Sequence, residues 1–325
     1  MKPEHKGLTF ICVQPCIQYY AWQVEVMLTN FERLEIHRKH RIQCLFAYNK
    51  SEADWEEKVA IINKVKFRFS DVAEFYFYQD TRKYPISYIS SIRPNILKQH
   101  FHRFPELGTG AVFYHDCDII FSKHPDFLEV MVDSGEWFVS DTISYIGYDY
   151  IVSKGHDVLD LMCRIVGCHP FLVRDRQSQS GGAQYLMRGV DFQFFEKMEK
   201  DCERMYREVT DLNNRKKQLD PNYHELQIWC ADMWCLLWGA WMRGYDTHVS
   251  PMLDFCWATD PVENFDTKHI FHNAGVTKDG EGLFYKGSYR ASLPYQQKID
   301  NIDPSKASSR YYELLWEVGK KTCLK

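Results

Sequence analysis

Two aspartates separated by one residue follow an apolar run near the middle of the 325-residue chain, in the segment AVFYHDCDIIF at residues 111–121. The run has the length of a β-strand, so Asp116 and Asp118 stand where the chain leaves that strand. Carboxylates in this position can bind one hard, octahedral cation, Mg2+ or Mn2+, and leave coordination positions for the oxygens of a diphosphate. The alternative is that both acids are solvated or cap the next helix, which is the commoner outcome for an isolated Asp-x-Asp.

Alternating strand and helix patterns precede this segment. The predicted strands are residues 8–13, 41–47, 73–78 and 111–114, and the predicted helices cover residues 22–34 and 87–101. Strands that alternate with helices predict an α/β fold, in which a mainly parallel sheet is flanked by helices. Ligands bind such sheets at the carboxyl ends of the strands, where Gln14, Asp116 and Asp118 lie. The order of the elements therefore favours a ligand site at the aspartates.

The second half of the chain has a less regular pattern. Strands are predicted at residues 136–155 and 181–187, helices at 159–166, 190–211, 224–243 and 309–320, and a linker-like stretch at 213–222. Gly181 and Gly182 predict a tight turn at the entry to the strand 181–187. Apolar residues at helical spacing predict that the helix 224–243 is buried.

The composition excludes several classes of protein. With 45% hydrophobic residues the chain has a real core, and a net charge of -4 provides no general basic field for nucleic acid. The eleven cysteines include no Cys-x-x-Cys pair, so they predict reduced, mostly buried thiols. The opening MKPEHKG and the short apolar run after it do not form a signal peptide, and no stretch of about twenty apolar residues predicts a membrane span. We therefore expect a cytoplasmic protein without membrane contact, in the host cytoplasm if the protein is viral.

The aspartate segment resembles the DxD motif of GT-A glycosyltransferases, in which the acids hold a divalent ion on a nucleotide-sugar diphosphate. Four further segments make the chain similar to the branch of hydroxyproline O-arabinosyltransferases and base J-type DNA glucosyltransferases. They are YYAWQVEV at 19–26, the WxxDM pattern at 229–233, HNAG at 272–275 and LFYKGSYR at 283–290. The resemblance implies a GT-A fold with a C-terminal acceptor-side extension. Residues 1–140 would form the nucleotide-sugar-binding half, and residues 141–325 the sugar- and acceptor-binding half.

The activity implied by the resemblance is transfer of a hexosyl or pentosyl group from a nucleoside diphosphate, most simply a UDP-sugar, to a hydroxyl. His272 follows a short apolar run, and an imidazole can complete a Mn2+ shell beside two carboxylates. The resemblance implies this third-ligand role, although a histidine is more often structural. Lys286 and Arg290 can stabilise the leaving diphosphate, and Gly287 allows a close approach of the backbone. The alternative is an ordinary basic surface loop.

Several residues of the second half are predicted to bind the donor sugar. Gln184, with its amide and the adjacent Tyr185, can hold sugar hydroxyls after the turn formed by Gly181 and Gly182. Asp141 would end a strand next to the metal strand and touch the sugar. A purely structural glycine turn explains the same residues equally well.

The remaining predicted site residues concern the acceptor and the nucleotide. Asp232, with Glu225 on a similar face of one predicted helix, can accept the proton of the acceptor hydroxyl. The alternative is a buried structural acid bonded to an arginine or a helix N-terminus. Arg93 lies on the helix before the metal strand and suits a phosphate or ribose, and Gln14 occupies the usual nucleotide edge.

The acceptor implied by the base J-type resemblance is a 5-hydroxymethylpyrimidine in DNA, as in viral or phage base modification. The base would have to leave the stack, and Tyr19, Tyr20 and Trp22 are the aromatic residues predicted to receive it. A hydroxyl on a protein or glycan is the competing acceptor, and the pI of 6.4 argues against a DNA surface.

Two other classes of function remain open from the sequence. The segment HDCDIIF also resembles the start of haloacid dehalogenase-type phosphatases, with the first aspartate as nucleophile. That motif normally lies near the N-terminus, and no paired acidic motif follows it here. The second alternative is a non-catalytic module that binds a nucleotide sugar or a metal.

Overall fold

The computed structural model describes residues 8–83, 85–296 and 299–323. The segment MKPEHKG, used above to argue against a signal peptide, lies outside these residues. The chain divides into two compact units. The first unit comprises residues 1–79, 114–133 and 252–325, and the second comprises residues 80–113 and 134–251. The division at residue 140 predicted from the sequence stays a prediction.

The strands of the described residues are β1 (Leu8–Pro15), β2 (Arg41–Tyr48), β3 (Glu74–Gln79), β4 (Ala111–Tyr114), β5 (Ile119–Phe121), β6 (Trp137–Asp141), β7 (Gly181–Met187), β8 (Thr247–Val249), β9 (Phe255–Trp257) and β10 (Ile270–His272). Seven of them form one sheet in the order β3-β2-β1-β4-β7-β6-β8. The pairs β1–β2, β2–β3 and β6–β8 are parallel, and β6 and β7 are antiparallel.

The α-helices of the described residues are α1 (Gln18–Arg33), α2 (Ile36–Lys39), α3 (Trp55–Arg68), α4 (Ile92–Arg103), α5 (Phe127–Ser134), α6 (Ile143–Ile146), α7 (Tyr148–Val152), α8 (His156–Val166), α9 (Pro170–Asp175), α10 (Phe192–Leu219), α11 (Ala231–Met242), α12 (Glu263–Thr267) and α13 (Ser308–Cys323). None of these described helices is long and apolar enough to cross a bilayer. The predicted α/β fold, with a mainly parallel sheet flanked by helices, is confirmed.

The core of the first unit explains why its first strand is so uniformly apolar. Seven of the eight residues of β1 are buried, as expected for a parallel strand that is covered on both faces. Helix α1 buries eleven of its sixteen residues, so it lies inside the unit and not along its surface. The ten described cysteines come from both units; nine of them are buried, and all ten are free thiols. The prediction of reduced, mostly buried cysteines is confirmed for these ten.

A second sheet in the first unit has the order β5-β10-β9. Strand β10 is antiparallel to β5 and places His272 opposite Ile119, one residue after Asp118. The buried side chain of Asn30 joins α1 to this sheet, because its Nδ2 donates to the Phe121 carbonyl at 3.0 Å and its Oδ1 accepts from the Phe121 amide at 2.8 Å. A single amide group thus satisfies both backbone groups at the end of β5.

Two predictions for the second unit are wrong. Residues 136–155 form one strand, β6, followed by α6 and α7, and not a series of strands. Their β-branched and aromatic residues favour strands locally, but Ile146 and Ile151 are buried on short helices while Ser144 and Asp149 are exposed. The linker-like stretch 213–222 is mostly the end of α10, which runs to Leu219.

The polar residues of that stretch have partners that the sequence pattern does not reveal. Asn213 is buried and donates from Nδ2 to the Leu226 carbonyl at 3.2 Å. Lys216 pairs with Asp157 at 2.7 Å. Tertiary contacts therefore extend a helix through a segment whose composition is typical of a loop.

We predict that Asn30→Ala destabilises the protein by about 2–6 kcal/mol. The substitution leaves a buried N–H and a buried C=O of Phe121 without partners, and each such group costs about 1–3 kcal/mol. The free energy of unfolding from urea titration measures the loss. Asn63→Ala is the matched control, because Asn63 is exposed on α3 of the same unit. Equal stability of the two variants would contradict the role of Asn30.

Candidate functional site

The aspartate pair lies in the short connection between β4 and β5, directly after the strand predicted at residues 111–114. The backbone N–H of His115 donates to the Ile11 carbonyl of β1 at 3.1 Å, so the chain is still held beside β1 immediately before the pair. Asp118 is only 4% exposed, and Asp116 is half-buried. One carboxylate is therefore enclosed, and the other borders solvent.

His272 comes to the same place from the other end of the sequence. Its Nε2 lies 3.3 Å from Asp118 Oδ1 and 3.6 Å from Asp116 Oδ2. The next residue, Asn273, donates its backbone N–H to the Asp118 carbonyl at 3.0 Å. Hydrogen bonding between β5 and β10 thus fixes the histidine beside the pair, the position that the resemblance to GT-A glycosyltransferases implied.

The three side chains suit one divalent ion. Each offers a ligand atom, and these atoms all lie within 4.8 Å of one another. Neighbouring ligands of an octahedral ion, at about 2.1 Å from its centre, are about 3 Å apart, close to the observed spacings. The rings of Phe255 and Trp257, both on β9, lie near the imidazole, with centroids 5.3 and 6.5 Å from its own. Two carboxylates and one imidazole are a donor set that a divalent metal ion can use.

Lys286 provides a positive charge at the same carboxylate. Its Nζ pairs with Asp118 Oδ2, the oxygen that His272 does not face. Burial by itself would raise the pKa of Asp118, but the charges of Lys286 and His272 outweigh burial and hold that pKa well below its usual range. Burial would lower the pKa of Lys286, and the Asp118 carboxylate raises it above its usual value. Both partners are therefore charged at neutral pH.

Neighbouring groups complete the first-unit site. Burial lowers the pKa of His115 to about 4, so this histidine is neutral at pH 7. Its Nδ1 lies 2.9 Å from the Asp116 carbonyl. Arg290 lies over the ring of Tyr19, 6.0 Å from its centroid. Gln14 is buried at the end of β1 beside the Cys12 thiol.

The prediction that the Trp22 ring receives an extruded base is wrong. Trp22 is fully buried, and its Nε1 donates to the Tyr289 carbonyl at 3.1 Å, so it cannot receive an extruded base. Tyr19 and Tyr20 are half-buried. The indole instead supports the turn that carries Lys286, a role that the sequence pattern did not indicate.

The predicted sugar-binding residues belong to the second unit, where two expectations about them are wrong. Gly181 and Gly182 lie inside β7 and not in a turn before it. A Cβ on Gly181 would meet Val139 Cγ2 at 2.3 Å, so this glycine permits close packing of β6 and β7. Asp141 does end β6, but β6 neighbours β7 and β8 and not the metal strand. Gln184 is fully buried, and its Oε1 accepts a hydrogen bond from Ser140 Oγ at 2.6 Å.

Asp232 and Arg93, predicted to act separately, are paired with each other. Arg93 Nη1 lies 3.1 Å from Asp232 Oδ2, and the Tyr88 hydroxyl lies 2.5 Å from Oδ1. The alternative of a buried acid bonded to an arginine therefore describes Asp232 well. Glu225 is not on a shared helical face, because α11 begins at Ala231. It is exposed and pairs with Lys217 at 2.7 Å.

Comparisons with known proteins gave matches among solved structures. No protein-family model matches the sequence, and no curated protein matches it. The WbbM bifunctional glycosyltransferase, in its apo structure, is 10% identical with a TM-score of 0.49, over 98% of this chain and 52% of the other. The chain thus spans about half the length of that protein. The galactosyltransferase LgtC, solved with donor and acceptor sugar analogs, is 11% identical with a TM-score of 0.42, and an active-site mutant of LgtC is 12% identical with a TM-score of 0.43. Each covers 95% of both chains.

We predict that Asp118→Asn weakens Mn2+ binding by more than about 100-fold. Even outer-shell partners of a metal site contribute about 10–100-fold to affinity, and Asp118 is a direct ligand in the proposed site. Free Mn2+, followed by electron paramagnetic resonance during titration, gives the dissociation constant. Asp71→Asn is the control, since Asp71 is an exposed acid of the same unit. Unchanged Mn2+ affinity in Asp118→Asn would rule out this metal centre.

We also predict that Asp232→Asn lowers the free energy of unfolding by about 2 kcal/mol. Breaking a fully buried ion pair costs about 3–5 kcal/mol, and the 30% exposure of the Arg93 side chain reduces that figure. Urea titration measures the change, with Asp211→Asn on the exposed face of α10 as the matched control. Full stability combined with loss of activity would instead mark Asp232 as a group that acts on the substrate.

Proposed function

We propose that the protein is a divalent-metal-dependent glycosyltransferase that uses a nucleoside diphosphate sugar as donor. The observation that carries this proposal is the convergence of Asp116, Asp118 and His272 with the ammonium of Lys286. Three metal ligands with a cation beside them form a site for a polyanion that brings its own oxygen ligands. A diphosphate has that chemistry.

The roles of the chain's own residues follow from this arrangement. When bound, a divalent ion supplies positive charge to the diphosphate oxygens as the bond to the sugar breaks. Asp116, Asp118 and His272 would hold the ion, and the pairing of β10 with β5 places the imidazole beside the two carboxylates. Lys286 donates hydrogen bonds to the departing diphosphate, with Arg290 as a further cation, so negative charge is stabilised where it develops.

Further residues are proposed to bind the sugar and the nucleotide of the donor. We propose a UDP-sugar donor, with Gln14 and Arg93 toward the nucleotide. Gln184 and Asp141, with the glycines of β7, would contact the sugar. The Gln184 side chain accepts a hydrogen bond from Ser140, and the Arg93 side chain pairs with Asp232. This part rests on the sequence resemblance.

The proposal also covers the acceptor, which is the hydroxyl that receives the sugar. We propose a 5-hydroxymethylpyrimidine in DNA, with a protein or glycan hydroxyl as the alternative acceptor. Asp232 is the group proposed to act on the acceptor hydroxyl, as base or as an orienting acid. Glu225, exposed and paired with Lys217, is the weaker of the two acids predicted for this step.

The phosphatase alternative has less support from the geometry. Such an enzyme would need further carboxylates around the first aspartate and its Mg2+. Among residues 8–83, 85–296 and 299–323, the group around Asp116 that can hold a metal has His272 as its third member and no third carboxylate. A non-catalytic binding module would share the same donor set, so only turnover separates it from an enzyme.

We predict that the protein consumes at least one nucleoside diphosphate sugar in the presence of Mn2+, and that Asp118→Asn abolishes this turnover. The assay is a panel of nucleotide sugars with release of nucleoside diphosphate as readout and Asp71→Asn as control. Product mass after addition of hydroxymethylated DNA, a hydroxyproline peptide or an oligosaccharide identifies the acceptor. Binding without turnover would favour the module. Hydrolysis of p-nitrophenyl phosphate with no sugar transfer would favour the phosphatase.

A further inference from the structure

The two carboxylate oxygens of Asp118 contact different basic groups, one an imidazole and the other an ammonium. Oδ1 faces His272 Nε2 at 3.3 Å and belongs to the metal site, whereas Oδ2 pairs with Lys286. The Asp118 side chain is 5% exposed and that of Lys286 is 27% exposed, so little water separates the two charges. The lysine therefore neutralises a metal ligand directly.

We propose that Lys286 is a positioning residue that couples the divalent ion to the diphosphate by sharing Asp118 with the ion. With Lys286 on Oδ2, the aspartate pair offers one net negative charge to a cation instead of two. The ammonium also repels a dication bound at Oδ1, so the ion alone binds weakly. A diphosphate gives both cations anionic oxygens, and Lys286 can then move from Asp118 to the phosphate. This inference rests on the proposed nucleoside diphosphate donor.

The surroundings of Lys286 allow its side chain to move while its backbone stays in place. The residue begins a short 3-10 turn, Lys286–Tyr289. The carbonyl of Tyr289 accepts the Trp22 indole N–H, and the Tyr289 ring stacks on Phe284 with centroids 5.6 Å apart. A Cβ on Gly287 would lie 2.3 Å from the Tyr285 ring, so the turn is also packed from within. Only the flexible stem of the lysine needs to change conformation.

Coupling of this kind is reciprocal. If a nucleoside diphosphate tightens Mn2+ binding by some factor, Mn2+ must tighten binding of the diphosphate by the same factor. We expect a factor of about 10 or more in the wild-type protein, within the usual range for coupled sites.

The test measures binding and not turnover. Mn2+ is titrated with and without UDP, followed by electron paramagnetic resonance, and UDP is titrated with and without Mn2+ by calorimetry. In Lys286→Met, which keeps the length of the side chain without its charge, we expect Mn2+ alone to bind about 10-fold tighter. The coupling factor should fall below that of the wild type, and the part that remains is due to direct coordination of the diphosphate by the ion. Lys286→Arg keeps the charge and should behave like the wild type. Lys123→Met is the matched control, because Lys123 is an exposed lysine of the same unit.

Each outcome decides the question. A gain in metal affinity on removal of a lysine cannot come from a purely structural role, which would weaken binding. The proposal is overturned if Lys286→Met, with a fold verified by circular dichroism, binds Mn2+ no more tightly than the wild type. It is also overturned if neither the wild type nor Lys286→Met binds Mn2+. If UDP and other nucleoside diphosphates do not bind, the proposed function fails. The titrations with Mn2+ alone still show whether Lys286 competes with the ion for Asp118.

Discussion

A carboxylate removed from water stays ionised where positive charge and hydrogen bonds compensate for its lost hydration, and Asp118 is such a group. Its side chain is 5% exposed, and two basic residues, His272 and Lys286, surround it. Neither comes from the local sequence. The first unit therefore has to bring β5, β10 and the Lys286 turn together before this aspartate can be buried with its charge.

Helix α1 provides the common support for these parts. Near its start, Trp22 binds the backbone of the turn that carries Lys286, and near its end Asn30 binds both backbone groups of Phe121 on β5. One buried helix thus sets the position of β5, which directly follows Asp118, and of the turn that carries Lys286. The alternative, support from surface loops, would hold these groups less precisely.

The sequence predicted the parts of the site that depend on local pattern. An apolar run before Asp116 and Asp118 predicted β4. His272, which also follows a short apolar run, lies beside the pair. Predictions failed where tertiary packing outweighs local preference. Glu225 has helical spacing to Asp232 but precedes the helix. Gly181 lies within β7, at a position where β6 packs too closely to leave room for a side chain.

Partners of buried polar groups were the least predictable feature. No spacing in the sequence indicates that Arg93 pairs with Asp232, since the two are 139 residues apart. The same holds for Asn30, whose two bonds to Phe121 span 91 residues. Such contacts follow from the topology, which periodicity alone does not specify.

The distance along the chain between Asp118 and Lys286 has a consequence for biosynthesis. The lysine is made 168 residues after the aspartate, and most of the second unit is translated between them. At a synthesis rate of about 5–20 residues per second, Lys286 is made on the order of ten seconds or more after Asp118. Until then its charge has to remain in water, so closure of the first unit around β5 is a late event in synthesis, and the second unit has the opportunity to fold first.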